Sequence, residues 1–457
     1  MSKCNLNPLD PRLLSGVFTS SVEYVIIRFM IYLDHAAATP VLPDVLQAME
    51  PYFLHDFFNP SAAYLPAKKV AADYEAAKGT IAHAIGAKAS DLVITAGATE
   101  ANNLAFTALG TKLWQTNFVR RSQHAGQFLQ SPAGTLKELP VPYSSRGTSQ
   151  DLLGLAQTSQ NLPARVLYLI TEHDSVRRVA EGYGGEPIRV LSNGLIDLDD
   201  LRNKITDETE LISVALVNNE LGTIQPLADV AQIIREVKID RMKRGVKRQL
   251  LLHSDASQAL SLLDINVARL GVDLLTLNAA KVYGPKGVGA LYVSHEANLH
   301  PLSLGGGQEN GLRSGTDNVP GVIGFAKAVE LSKKHLAFNR KKYASWKKIL
   351  LEELEDYELI NRKHSLDNFI VLCYNGIDAE RLIFLLEDKG VYLATGAACA
   401  ASKGVRSHVL KAIGLSDTQI NGSLRISLGE TNTEEQLHEA TKIINEVVRS
   451  EKRRVNG

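Results

Sequence analysis

With 457 residues, 45% of them hydrophobic and 22% charged, the chain exceeds what one hydrophobic core usually serves. A large domain joined to a smaller one is expected, and a single small module is excluded. Fifty basic residues balance fifty acidic ones, which leaves no global field to draw in a phosphate backbone, so nucleic acid is not expected as a partner.

Residues 1–30 have no clear periodicity and read as an N-terminal extension, with Met30 a natural alternative start. A transit peptide is the rival reading, because the segment holds Ser and Arg and few acids, but it lacks an amphipathic arginine face. From Leu92 to Val293 short β-rich runs alternate with helical stretches: "LVITAG", "RVLYLITEH", "LISVALVNN", "LLLHSDASQ", "DLLTLNAAK" and "GVGALYVS". The alternation predicts βα units and a mostly parallel sheet, and the unbroken apolar character of several runs predicts strands covered on both faces. Between Leu109 and Leu162 a Ser-, Gln- and Gly-rich stretch reads as a surface insertion. The basic run from Lys238 to Lys247 reads as the solvated end of a helix. After about Leu302 long helical segments take over and mark a second domain, so the large domain is expected over 31–300 and the small one over 301–457. Cys4, Cys373 and Cys399 are too few and too dispersed for a disulfide framework and contain no CxxC pair for structural zinc. No apolar run approaches the roughly 20 residues that span a bilayer. A reducing, cytoplasmic setting without a membrane anchor is the expectation.

In an open parallel sheet, ligands bind beyond the carboxyl ends of the strands. Polar residues cluster there: Gly97-Ala98-Thr99-Glu100, Glu172-His173, Asn218-Asn219, Asp255 with Gln258, and Lys281. A strand-end lysine can form a Schiff base if it is partly desolvated, although by position alone Lys281 is as readily a surface residue. Asp255 alone reads equally as a helix N-cap, and Gly97-Ala98-Thr99 as a plain cap whose amides would also suit a phosphate.

The motifs "YLDHAAATP", "NPSAAY", "GATEANN", "TEHDSV", "VNNELGTIQP", "SDASQ", "AAKVYGPKG", "GGGQENGLRSGT", "GAACAAS" and "LRISLG" occur in an order that resembles the cysteine desulfurases, from about Ile31 to near Val448. These belong to the class V aminotransferase group. The resemblance implies an α/β chain with the fold-type-I architecture of pyridoxal 5'-phosphate (PLP) enzymes: a large domain with a mostly parallel central sheet and a smaller α+β C-terminal domain. It implies Lys281 as the Schiff-base lysine, His173 stacked on the ring, Asp255 at the pyridinium nitrogen and Gln258 near the ring hydroxyl. Ala98, Thr99 and Asn278 would hold the phosphate, and Thr316 would reach the phosphate of the partner subunit in a homodimer. Asn219 and Arg425 would bind the carboxylate of L-cysteine, the arginine through a bidentate fork. Cys399 would take the substrate sulfur as a persulfide, release alanine, and pass the sulfur to an acceptor such as an iron-sulfur scaffold or a tRNA-thiolating enzyme. Cys373, in an apolar run, reads as inert, and Cys4 lies outside the resemblance.

The sequence departs from the family just before the lysine, where Asn278-Ala279-Ala280 replaces the usual Ser-Gly-His or Ser-Ser-His. Ala280 cannot replace an imidazole, and each lost charge-assisted contact to the phosphate costs roughly 1.5–3 kcal/mol. Selenocysteine lyase activity and plain class V aminotransferase activity are the rival readings. A non-catalytic partner protein is a third, suggested only by the altered triplet.

Overall fold

The computed structural model describes residues 30–109, 164–361, 363–395 and 406–456. The N-terminal extension up to residue 29, the insertion from residue 110 onward, Cys4 and Cys399 lie outside the described residues. Strands run in chain order at Ile31–Tyr32 (β1), Leu92–Thr95 (β2), Arg165–Leu169 (β3), Glu186–Ile188 (β4), Thr209–Ser213 (β5), Leu251–Asp255 (β6), Leu274–Asn278 (β7) and Gly289–Val293 (β8). The later strands are Glu358–Leu359 (β9), Phe369–Cys373 (β10), Val391–Tyr392 (β11), Ala394–Thr395 (β12) and Ser423–Ser427 (β13).

The six apolar runs of the central region become β2, β3, β5, β6, β7 and β8 of one seven-stranded sheet, with β4 on its edge, in the order β2-β8-β7-β6-β5-β3-β4. Only β8 runs against its neighbours β2 and β7; the remaining pairs are parallel. Because β2 and β7 are both antiparallel to β8, the carboxyl ends of β2, β3, β5, β6 and β7 all emerge on one edge. Apolar side chains of these strands are buried on both faces, Leu167, Ile212, Leu252 and Leu275 on one side and Val166, Leu211, Leu251 and Leu274 on the other. Each contributes about 1.5–3 kcal/mol relative to exposure.

Four further strands pair antiparallel in the order β12-β13-β10-β9, and β1 pairs parallel with β11. The segment that follows β1 therefore lies between the two larger sheets: Asp34 bridges Ser427 at the end of β13, and Thr39 N donates to the Ala280 carbonyl. The long helical segment is a single helix, Val319–Glu353, and the final amphipathic stretch is the helix Glu434–Asn456. The basic run ends the helix Leu227–Arg244, which stops at Gly245 with φ 74°. Most of it is exposed, where it complements the carbonyl end of the helix dipole. Arg241 differs: it is 2% exposed and turns inward to donate to the carbonyls of Thr206 and Thr209, a tertiary role that periodicity does not reveal. Cys373 is buried on β10, where burial pushes its thiol up to about 11, in keeping with an inert role. Among the described residues no helix is long and apolar enough to cross a membrane.

Candidate active site

A cavity of about 540 Å³ opens at the carboxyl edge of the central sheet. It gathers Ala98, Thr99, His173, Asn219, Asp255, Gln258, Asn278, Lys281 and Arg425 from nearly the whole length of the chain. Thr316 does not line it and lies exposed in the turn after Arg313. That turn is tied to the cavity wall, because Arg313 Nε donates to Glu100 Oε1 at 3.1 Å while Glu100 Oε2 accepts from the Ala96 N–H at 2.5 Å.

The helix Ala98–Ala105 starts immediately after Gly97, whose φ of 144° suits glycine and whose backbone packs under Gly289 of β8. Its first N–H groups have no intrahelical partners and point to where an anion would sit. At the end of β6, Asp255 Oδ2 accepts from Asn102 Nδ2 at 2.8 Å and Oδ1 from the Ser257 N–H at 2.9 Å. Lys281 follows β7, and its Nζ donates to the Ala36 carbonyl at 2.7 Å and the Ala37 carbonyl at 2.5 Å. Gln258 Nε2 donates to the same Ala36 carbonyl at 2.9 Å. Asn278 caps the turn before the lysine by accepting from the Ala280 N–H at 3.1 Å, which leaves its Nδ2 hydrogens as its remaining donors.

His173 caps the helix Asp174–Gly182: its Nδ1 accepts from the Ser175 N–H at 3.1 Å, so in the neutral ring the proton sits on Nε2. Arg425, on β13 and 3% exposed, donates from Nη2 to Asp34 Oδ1 at 2.6 Å and from Nη1 to the Asn219 carbonyl at 2.8 Å. Asn219 thus meets Arg425 through its main chain. It sits in a tight turn closed at Gly222, where Asn218 Oδ1 accepts from the N–H groups of Glu220 and Leu221.

Among the described residues, several polar atoms in the cavity walls are buried without partners: Thr171 Oγ1, Glu172 Oε2, Ser257 Oγ and Arg425 Nε. Unpartnered buried polar atoms are costly, so a cavity rimmed with them suits a polar ligand. The arrangement offers helix N–H groups for a phosphate, a carboxylate for a basic ring nitrogen, an amine for an aldehyde and a guanidinium for a carboxylate. Two carboxyl groups with no role assigned in the sequence reading also line it. Glu172 is fully buried, and burial, with Asp255 nearby, pushes it up to about 8. Glu220 is raised by burial to about 7, although a hydrogen bond from Ser407 Oγ at 2.5 Å and the charge of Arg425 pull the other way. His408, held below its ordinary range by burial, sets Nε2 3.0 Å from the Glu172 carbonyl. Asp34 stands in the "YLDHAAATP" motif and Glu220 in "VNNELGTIQP", so the motifs carried a signal for them, but their partners lie 391 and 187 residues away.

The chain matches the family described as aminotransferase class-V over residues 31–126 and 152–439. It is 31% identical over 428 residues to cysteine desulfurase IscS 1 of Archaeoglobus fulgidus, covering 92% of this chain and 97% of that one. It is 32% identical over 430 residues to cysteine desulfurase IscS of Methanosarcina thermophila, covering 92% of each. Among solved structures it is similar to a NifS-like protein, with a TM-score of 0.74 and 27% identity over 92% of this chain and 100% of that one. It is likewise similar to SspA in complex with cysteine, with a TM-score of 0.67 and 30% identity over 87% of this chain and 98% of that one.

Proposed function

The chain belongs to the class-V aminotransferase family and, within it, to the cysteine desulfurases, and from that premise we propose that it is a PLP-dependent enzyme converting L-cysteine to L-alanine and holding the sulfur as a persulfide on Cys399. The observation that carries the reading is the convergence on one cavity of Lys281, Asp255, His173 and Arg425 with the N-terminus of the helix Ala98–Ala105. The residues present suit the cofactor. Its phosphate fits the N–H groups after Gly97 together with Thr99 and Asn278, and its ring nitrogen suits Asp255. The Thr171 and Ser257 hydroxyls, which line the same cavity without a hydrogen-bond partner among the described residues, are further polar groups that a polar cofactor could use.

When bound, PLP supplies the electron sink that lets the substrate lose its Cα proton and lets its carbon–sulfur bond break. The rest is the work of the chain. Lys281 carries the cofactor and, once its amine is freed, moves the proton at the substrate Cα. The carbonyls of Ala36 and Ala37 give that amine a resting place. Asp255, aligned by Asn102 and the Ser257 amide, keeps the ring nitrogen protonated. His173, fixed by Ser175, would cover the ring face, and Gln258 would serve the ring hydroxyl. Arg425 takes the substrate carboxylate with the N–H groups that Asp34 and the Asn219 carbonyl leave over, and Asn219 adds a side-chain amide. Cys399 attacks the substrate sulfur.

Exposed apolar side chains concentrated between Leu46 and Leu65, with Leu304 87% exposed, support a homodimer in which Thr316 reaches the partner's phosphate. A domain boundary near residue 301, a cytoplasmic setting, and delivery of sulfur to an iron-sulfur scaffold or a tRNA-thiolating enzyme complete the proposal. PLP-loaded protein given L-cysteine and a reductant should release alanine and sulfide one for one. Exchange of amino groups with keto acids and no sulfide would replace the reading with a plain aminotransferase.

A further inference from the structure

Glu172 takes no part in the chemistry above, although it stands at the foot of the same cavity just beyond β3. Its side chain is out of contact with water. Oε1 accepts from the Ala215 N–H at 2.7 Å and from Ser213 Oγ at 3.3 Å, while Oε2 has no partner among the described residues. The groups around it come from each neighbouring element. Ser213 of β5 spends its hydroxyl proton on Glu172, so His253 of β6, with Nδ1 2.9 Å from Ser213 Oγ, must donate from Nδ1. His253 Nε2 then accepts from Thr276 Oγ1 of β7 at 3.1 Å. His253 is therefore satisfied as a neutral ring, and burial holds it down at about 4. His408 faces the Glu172 carbonyl, and the adjoining His173 points to the cavity. Asp255 at the end of β6 is the other carboxyl group.

Glu172 and Asp255 thus share a buried space in which His253 is neutral, and two carboxylates cannot both be ionised there cheaply. Asp255 accepts two N–H donors, one from Asn102 and one from the Ser257 main chain, so each of its oxygens is held by a protein donor. Glu172 is the more deeply buried and has an oxygen with no hydrogen-bond partner among the described residues.

We propose that Glu172 is a positioning residue that works as a neutral acid: it keeps its proton so that Asp255 is the only charged carboxyl group under the cofactor ring, and loss of that proton sets the alkaline limit of cofactor retention. The proposal rests on the PLP reading above. The upward displacement of Glu172 to about 8 agrees with it. Once Glu172 ionises, a second negative charge stands beside Asp255 and repels both it and the anionic cofactor. The dissociation constant for PLP then rises by up to about tenfold per pH unit above that point.

Two measurements test this. In the wild-type protein labelled with [13C]glutamate, infrared difference spectra should show a protonated glutamic acid at neutral pH that disappears with a midpoint near 8. Glu172→Gln should remove that band, and Glu220→Gln should leave it and remove only a separate band that disappears near pH 7. In PLP titrations from about pH 7 to about pH 9, one unit either side of about 8, affinity should fall for the wild type and stay level for Glu172→Gln. Absence of the band in the wild type, its survival in Glu172→Gln, or the same pH profile in both proteins would overturn the proposal. The infrared measurement needs no cofactor and so decides the protonation by itself. Failure of the wild type to bind PLP at any pH would instead sink the cofactor reading.

Discussion

Replacing Asp34 by alanine removes the partner of a nearly inaccessible arginine. Arg425 is 3% exposed, Asp34 is 16% exposed, and their 2.6 Å contact joins the segment after β1 to β13. Breaking a buried pair by deleting one member strands the other charge and costs about 3–5 kcal/mol. The Asn219 carbonyl remains as a second acceptor, so the lower end of that range, about 3 kcal/mol, is expected for Asp34→Ala. The same change frees the guanidinium to swing from the geometry that a substrate carboxylate needs. A charge-assisted contact is worth roughly 1.5–3 kcal/mol, so KM for L-cysteine should rise roughly ten- to a hundredfold while kcat changes less. Urea unfolding and steady-state kinetics read the two effects, and Asp34→Asn, which keeps an acceptor, should fall between. An Asp34→Ala protein with the wild-type unfolding midpoint and the wild-type KM would refute both the energetic weight of the pair and the role of Arg425.

Gly289→Ala should weaken PLP binding about tenfold, since the new Cβ would stand 2.7 Å from the Gly97 carbonyl carbon and 2.8 Å from the Leu277 oxygen. The strain should also lower stability by about 1–3 kcal/mol, and a PLP titration alongside a thermal melt checks both. Glu220 and Glu172 are held by burial at about 7 and about 8 against an ordinary 4.5. The stability this contributes is present in full below about 4.5 and is lost as pH rises through about 7 and 8. The Glu220 share is on the order of 3 kcal/mol. Urea midpoints of the wild type should therefore fall over that window more steeply than those of Glu220→Gln, and parallel curves would contradict the assignment.

The central sheet was legible because its strands are buried on both faces and so write themselves as unbroken apolar runs. The polar residue that follows each run then marks the ligand edge. Edge strand β4, with the sequence Glu186-Pro187-Ile188, carries no such signature, and the two-residue strands β1 and β11 exist only because distant segments meet. Lys281, Asp255 and His173 could be placed from motif and strand position together. The Asp34–Arg425 pair, the Ser407–Glu220 hydrogen bond and the Glu172–Ser213–His253 chain could not, because each depends on a register between elements that no local pattern encodes. The inward turn of Arg241 is the same kind of omission: a helix-end arginine looks solvated until Thr206 and Thr209 present their carbonyls to it.

The most direct test of the account is the mass of the Cys399-bearing peptide after PLP-loaded protein meets L-cysteine without reductant, measured beside the alanine released. A peptide heavier by one sulfur atom should form in step with one equivalent of alanine, with neither product at wild-type level in Cys399→Ala. Alanine release that persists unchanged in Cys399→Ala, or an unmodified Cys399 peptide after turnover, would contradict it.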